Sequence, residues 1–377
     1  MKKLAVIGAS YLQEPLIQKA KQLGIETHVF AWAANDVGEK SADHFYPISI
    51  VEKDAILDRC RRIGIDGICS IASDLAAITV NYVAWVMGLT CNSPEAVRKS
   101  TNKHEMRLAF ERYGDPSPRS FLAEGPENLE KLDMDFPVIV KPTDRSGSRG
   151  VWKLNDCQGL KKAIESAIAV GFENKALVEE FVEGQEYSVE CISWQGEHHF
   201  LAMTQKFTTE APHFIETGHL EPAPVNSALL ERVKRVVFHA LDSLELKNGA
   251  SHSEVKIDSA ENICLIEIGG RMGGDPIGSD LVEMSTGVDF VRAVIDVAMG
   301  IKPDLVPLHG PKAVAVRFLF STEDIAALDR LKNEHPAWLR SWEVCGDLSG
   351  EVTDSSSRHG YFLFGADKPE ELMPYLS

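Results

Sequence analysis

The chain has 377 residues, 44% hydrophobic and 25% charged, which are the proportions of a folded protein with two or three buried cores and exclude a disordered one. Its 56 Asp plus Glu outnumber its 39 Lys plus Arg for a net charge of -17, and no long basic run interrupts the acidic balance. A general nucleic-acid or anionic-membrane surface is thereby excluded, and an anionic ligand would need cations gathered locally.

The seven cysteines are odd in number and form no CxxC pair, so they read as reduced residues of a cytoplasmic protein rather than as a zinc site or a disulfide frame. MKKLAVIGAS superficially resembles a signal peptide, but its apolar run is short and the amphipathic EPLIQKAKQLG follows at once. Strand one of a Rossmann-like unit is the better reading. No apolar segment approaches membrane-spanning length.

Strands and helices alternate through ETHVFAW, KDAILDRCRRIG, IDGICSIAS and LAAITVNYVAWVMG, which predicts a parallel sheet covered on both faces. The turn after strand one holds Gly8 without the remaining glycines of G-x-G-x-x-G, so a tight turn without a cofactor is the plainer reading there. A polar stretch, NSPEAVRKSTN, then marks a boundary before the helix KHEMRLAFERYG. Beyond it we expect strands FPVIVKP and GVWKL, a helix QGLKKAIESAIAVG and a strand KALVEEFV, forming a small subdomain at about 119–182. Next come EYSVECISW, HHFLAMTQKF, a long helix from 226 to 246 and strands around 254 and 267, an antiparallel platform, and then one helix, SDLVEMSTGVDFVRAVIDVAMG. The predicted domains are 1–97, Rossmann-like; 98–303, the α+β body; and 304–377, a small α+β tail.

Two stretches bear on chemistry. In VIVKPTDRSGSRGV, Lys141 ends a strand and a loop of hydroxyls, arginines and glycines follows; in a Walker loop the lysine comes after the glycines. Held by a sheet, Lys141 would meet anionic oxygens, and the loop with Gly147 and Gly150 would fold over phosphates as a lid, with Ser146, Ser148 and Arg149 adding donors. The competing reading is a surface hairpin loop with scattered cations such as Arg145 and Arg149.

In HSEVKIDSAENICLIEIGGR, Asp258 to Asn262 supplies turn residues between two strands. With Asp258 opposite Ile263 across a four-residue loop, Glu254 stands opposite Glu267. Like charges so placed, with Cβ atoms about 5 Å apart, are destabilising. A shared proton, a divalent ion such as magnesium or manganese, or exposure of both side chains to solvent would each relieve the repulsion. A slip of one residue would abolish the pairing.

Taken in order, the strand lysine with its proline, the glycine loop, VEEFVEGQEYSVE, the two strand glutamates and an arginine four residues after the second resemble the ATP-grasp superfamily from about Asn102 to Gly300. HSEVK and EIGGR resemble the branch containing L-amino-acid (dipeptide) ligases. The resemblance implies a fold of an N-terminal Rossmann-like parallel sheet, two α+β subdomains with ATP between them, and a small α+β tail. It implies that Lys103 and Lys141 contact phosphates, that Glu179 and Val182 offer backbone groups to adenine, and that Glu186 binds ribose. Glu254 and Glu267 would hold Mg2+, or Mn2+, and Arg271 would stabilise a charged transition state or acyl phosphate. Gly269 stands where many members have an asparagine, which puts one metal ligand in doubt.

The expected function is an ATP-dependent ligase that activates a carboxylate as an acyl phosphate, joins it to an amine and releases ADP and phosphate. Its partners would be those small molecules; a homodimer is left open. Residues 207–224, FTTEAPHFIETGHLEPAP, are too polar for core, and His213, Glu216 and His219 are candidates for substrate contact, a solvated loop being the alternative. Two other functions compete: a nicotinamide-dependent oxidoreductase, disfavoured by the missing glycines, and a nucleotide-binding regulatory protein that has lost catalysis.

Overall fold

A computed structural model describes residues 1–125, 132–209, 214–345, 348, 350 and 352–376. Three sheets organise them. The first is parallel, from β1 (Lys3–Ile7), β2 (Glu26–Phe30), β3 (His44–Tyr46) and β4 (Gly67–Cys69), in the order β3-β2-β1-β4. Alternation along β1 divides its side chains between two cores. Leu4 and Val6 pack with Leu16, Ile17 and Ala20, whereas Ala5 and Ile7 pack with Ile56, Leu57 and Cys60.

The second sheet is antiparallel, from β5 (Ser120–Ala123), β6 (Val138–Pro142), β7 (Trp152–Leu154) and β8 (Ala176–Glu180), in the order β5-β8-β6-β7. The helix Leu160–Val170 covers it through Leu160, Ala163, Ile164 and Ala167.

The third and largest comprises β9 (Gln185–Trp194), β10 (Glu197–Thr208), β11 (Glu216–Glu221), β12 (Gly249–Ile257), β13 (Ile263–Gly269), β14 (Ala313–Phe318), β15 (Leu339–Val344) and β16 (Gly360–Ala366), in the order β13-β12-β9-β10-β11-β14-β16-β15. The C-terminal strands therefore extend the same sheet that carries the glutamate hairpin. Helix Ser227–Ser243 lies in its core through Leu229, Val233 and Val237, beside Met106 and Phe110 of helix Lys103–Tyr113. Among the described residues no helix is long and apolar enough to cross a membrane.

Four local readings are corrected. The stretch at 277–298 is not one helix: a π-turn at Ile277–Leu281 leads into Val282–Thr286, Gly287 ends that helix with φ +79°, and Asp289 caps a separate helix Phe290–Ala298 by accepting from Arg292 N–H. The second helix is apolar on most sides because it lies between sheets, sharing a core with Leu4 and Val6 of β1 and with Ile192 and Leu201 of the large sheet. The polar boundary at 92–102 contains a helix of its own, Pro94–Thr101, capped by Ser93. The stretch 207–224, expected to be too polar for core, contains β11, whose residues from Gly218 to Glu221 are buried.

The fourth correction concerns the hairpin. Ile257, not Asp258, pairs with Ile263, so the loop has one more residue than expected; Asp258 closes it by accepting from the N–H groups of Ala260 and Asn262, both at 2.8 Å. The offset would misalign the glutamates, but a bulge at Ile266 takes up one residue, and Glu254 faces Glu267 after all. Because of the bulge, Leu265 and Ile268, three apart, share one core while Ile266 and Glu267 both reach the cleft.

Candidate active site

A cleft of about 200 Å³ opens between the second and third sheets, and nearly all of its polar lining is charged. Lys103 begins the helix Lys103–Tyr113, where Asn102 caps by accepting from His104 and Glu105 N–H groups. Its Nζ donates to Glu267 Oε1 at 2.8 Å and to the Arg145 carbonyl at 2.7 Å. Burial alone would lower its pKa, but Glu267, Asp74 and Glu254 outweigh it and the net shift is upward.

Lys141 points from β6 to Glu179 on β8, with Nζ and Oε2 2.6 Å apart, and Arg107 Nε stands 2.8 Å from the other carboxylate oxygen. Burial, with Arg107 and Lys103 close by, holds the Lys141 pKa below its ordinary value against the pull of Glu179. Glu179 is buried, its backbone pairing with Ser120 and Ile139 in the sheet and its carboxylate serving as counterion to two cations. Val182 lines the cleft, and its carbonyl accepts from Lys256 Nζ at 3.2 Å.

The glycine loop is tethered at its base by Asp144, which accepts from the N–H groups of Phe172 and Glu173 at 3.0 and 2.7 Å, while Arg145 lies over the Phe172 ring. Ser146, Gly147 and Ser148 line the cleft. Gly147 has φ +72° and open space where a Cβ would sit, so conformation alone demands glycine there. Gly150 is turned under the loop toward Pro142.

Across the cleft, Lys206 gathers the acids. Its Nζ lies 2.7 Å from Glu254, 2.8 Å from Glu186 and 3.7 Å from Glu216, and its side chain is 4% exposed. Burial opposes its charge, yet these three carboxylates raise its pKa well above the usual lysine value. Glu254 is held well below the ordinary carboxylate range; its own burial acts the other way, but Lys206 and His252 outweigh it. Behind Glu254, His252 Nδ1 makes a short hydrogen bond to Glu190, whose other oxygen accepts from Gly273 N–H at 3.0 Å. Burial would lower the His252 pKa, but Glu190 raises it to about 9.

Arg271 grips Asp74 in a two-point pair, Nε to Oδ1 at 2.8 Å and Nη2 to Oδ2 at 2.9 Å. Asp74 belongs to the N-terminal sheet's helix Asp74–Met87, capped by Ser73. A Cβ at Gly269 would lie 2.8 Å from Asp74 Oδ1, so the carboxylate occupies the space a side chain at 269 would need.

The expected site residues thus converge for the most part. Lys103, Lys141, Ser146, Gly147, Ser148, Glu179, Val182, Glu186, Glu216, Glu254, Glu267 and Arg271 line one cleft. His219 is buried on β11, edge-on to Phe318 and 3.9 Å from Asp275, outside the residues that line the cleft. His213 lies outside the described residues. Lys206, His252, Arg107 and Asp74 escaped the sequence reading. For Lys206 there was a cue, a lysine within the strand HHFLAMTQKF; for Asp74, 197 positions from Arg271, there was none.

In the turn after β1 the Gln13 side chain accepts from Ser10 N–H and Oγ–H and donates to the Ile71 carbonyl. It packs against Gly8, where an added Cβ would lie 2.7 Å from Gln13 Oε1.

Residues 134–280 match the family model of the ATP-grasp domain. The chain carries an ATP-grasp domain. It is 26% identical to carnosine synthase 1 of Homo sapiens over 336 residues, 81% of this chain and 40% of that protein. It is 26% identical to alanine-anticapsin ligase of Bacillus subtilis over 297 residues, 70% of this chain and 62% of the relative. Dapdiamide A synthase of Enterobacter agglomerans is 32% identical over 183 residues, 46% of this chain and 42% of the relative. The chain therefore spans less than two thirds of the length of these relatives. Among solved structures, an L-amino acid ligase from Bacillus licheniformis superposes with a TM-score of 0.82 at 20% identity, covering 100% of this chain and 96% of that one. Phosphoribosylglycinamide synthetase from Anaerococcus prevotii superposes with a TM-score of 0.78, also at 20% identity, with coverage of 100% and 96%. The likeness of fold to these two structures thus extends beyond residues 134–280 to the N-terminal parallel sheet and the C-terminal strands.

Proposed function

We propose that this protein is an ATP-dependent ligase that activates a small carboxylate, an amino acid or similar compound, as an acyl phosphate and joins it to an amine. One observation carries the reading: Glu254 and Glu267 face each other across a hairpin, flanked by Lys206 and Lys103, in a cleft that also holds Lys141 and Arg271. That arrangement neutralises phosphate and offers no protein nucleophile with an activating base, so positioning and charge stabilisation are the means of catalysis. The names of two relatives by sequence and structure, alanine-anticapsin ligase and L-amino acid ligase, support amino acids as substrates.

The residues fit a magnesium ion. Glu254 and Glu267 face each other and would supply two carboxylate oxygens, the donor type of an ion that completes its shell with substrate phosphates and water. Manganese takes the same donors. Bound there, the metal would withdraw charge from the phosphates. Lys103 and Lys141 would bind phosphate oxygens, the loop at Ser146, Gly147 and Ser148 would cover them, the backbone at Glu179 and Val182 would receive adenine, and Glu186 the ribose. The substrate carboxylate would attack the γ-phosphorus and expel ADP; the amine would then attack the acyl carbon, expel phosphate and lose a proton. Arg271 would meet the negative charge that develops. Glu216, which lines the cleft beside Lys206, and His213 on the same stretch of chain would contact substrate, whereas His219, buried outside the cleft, would not.

Incubation with ATP, Mg2+ and pairs of amino acids or other small carboxylates tests this. We expect release of ADP and phosphate that depends on both substrates, with a condensed product by mass spectrometry and loss of turnover in Glu267→Gln. AMP and pyrophosphate as products would overturn the scheme, and ATP binding without turnover on any pair would favour a regulatory protein.

A further inference from the structure

The N-terminal sheet holds a cluster that the ligase reaction does not use. Glu26 and His28 lie two residues apart on β2 and so share a face, and His28 stands in register with His44 on the neighbouring strand β3. Glu26 Oε1 is 3.0 Å from His44 Nε2 and 3.3 Å from His28 Nε2. The ligand atoms of all three residues lie within 4.8 Å of one another, and among the described residues this is the one such group of three histidine, cysteine or acidic side chains.

His28 supplies an independent observation. It is 3% exposed, and its Nε2 is fully buried without a hydrogen-bond partner, despite its closeness to Glu26. Its other nitrogen, Nδ1, is 3.1 Å from the Tyr46 hydroxyl. With the ring proton on Nδ1 and donated to Tyr46, a lone pair remains on Nε2, facing a carboxylate that has no proton to give. In that tautomer a cation between the two electron-rich atoms would satisfy both, whereas the other tautomer would place a proton there.

We propose that Glu26, His28 and His44 form a binding site for a divalent transition-metal ion, best matched by zinc, which fastens the edge strand β3 to β2. Two imidazoles and a carboxylate form the donor set of zinc sites with three protein ligands and a water. Metal–ligand bonds near 2.1 Å in a tetrahedron put ligand atoms about 3.4 Å apart, within a few tenths of an ångström of the separations from Glu26 to the two rings. Tyr46 takes the part of the outer partner that orients a ligating histidine. The two rings now stack, with centroids 4.7 Å apart and planes 14° apart, so the half-exposed His44 must turn its ring to aim at the same point. It lies on the solvent side, where the ion and its water enter. β3 is three residues long at the sheet edge, so a metal clip there would stabilise an element with few bonds of its own.

The test uses the full chain, stripped with a chelator and titrated with Zn2+, and with Co2+ as a spectroscopic probe, in the absence of nucleotide and magnesium. We expect one saturable zinc site per chain, visible bands of four-coordinate cobalt, and a rise in melting temperature on adding zinc. His44→Ala, at an exposed position, should weaken binding at least tenfold and abolish the thermal shift; Tyr46→Phe should weaken it by about tenfold. Glu254→Gln with Glu267→Gln should leave it unchanged, which separates this site from the catalytic one. Equal binding by wild type and His44→Ala, no saturable site, or loss of the site in the Glu254→Gln/Glu267→Gln protein would each overturn the proposal.

Discussion

Gly269→Ala adds a single methyl group, and the structure says what it must displace. The new carbon would lie 2.8 Å from Asp74 Oδ1 and 3.3 Å from Arg271 Cζ and Nε, well inside ordinary carbon contact distances of about 3.5 Å or more. The backbone of 269 lies in β13, so the Asp74 carboxylate moves and its two-point pair with Arg271 opens. Removing one partner of a buried pair costs about 3 to 5 kcal/mol. Here both side chains keep 16 to 17% exposure and Asp74 is displaced rather than lost, so a smaller cost of about 2 kcal/mol is expected. Asp74→Ala should cost about 3 kcal/mol, because it strands the guanidinium. With Asp74 gone the closest obstruction is gone and the Arg271 side chain, 3.3 Å from the new carbon, is free to shift, so Gly269→Ala in the Asp74→Ala background should cost under about 0.5 kcal/mol. Urea unfolding of the four proteins measures the cycle. If the two substitutions are additive, Gly269 is needed for some reason other than room for Asp74, and the steric argument fails.

Arg271→Ala should lower turnover by about a hundredfold or more while changing ATP affinity little; near-normal turnover would reduce Arg271 to the counterion of Asp74. Gly147→Pro replaces φ +72° with a ring locked near -65°, and should slow turnover more than it weakens adenine nucleotide binding; equal losses in a paired kinetic and calorimetric measurement would argue against a lid. Lys206→Met leaves Glu186, Glu216 and Glu254 without their shared cation and should destabilise the fold by about 3 kcal/mol at neutral pH, less in acid as the carboxylates protonate, which denaturation at several pH values would follow. Burial pushes the Glu221 carboxyl up to about 8, against an ordinary value of 4.5. The folded state holds that proton more tightly, so the stability it contributes is complete below about pH 4.5 and is lost as pH rises through about 8, a swing on the order of 5 kcal/mol. Glu221→Gln should flatten that slope, and unchanged pH dependence would contradict the assignment.

Much of the site was legible in the sequence because its signals are local. A strand ending in Lys141, the glycines after it, and turn residues between the runs holding Glu254 and Glu267 are each contained within about twenty positions, and backbone periodicity turns such spacing into direction. The glutamate pairing came out as expected although the turn was one residue longer, since the bulge at Ile266 restored the register. Nothing in the hairpin's own alternation reveals that bulge; it brings Leu265 and Ile268 into the same core, a demand made by the helices beneath. The break at Gly287 has a similar origin: apolar periodicity runs through it, and the meeting of two sheets around Phe290–Ala298 decides where one helix stops. Charged residues were hardest to read. Asp74, Arg107 and Lys206 resemble surface residues until burial makes each require an opposite charge, and their partners stand 10 to 197 positions away in the chain. Local sequence determines which way a side chain leaves the backbone, but the low-dielectric interior that turns these cations and acids into a site exists only once the sheets have closed around them.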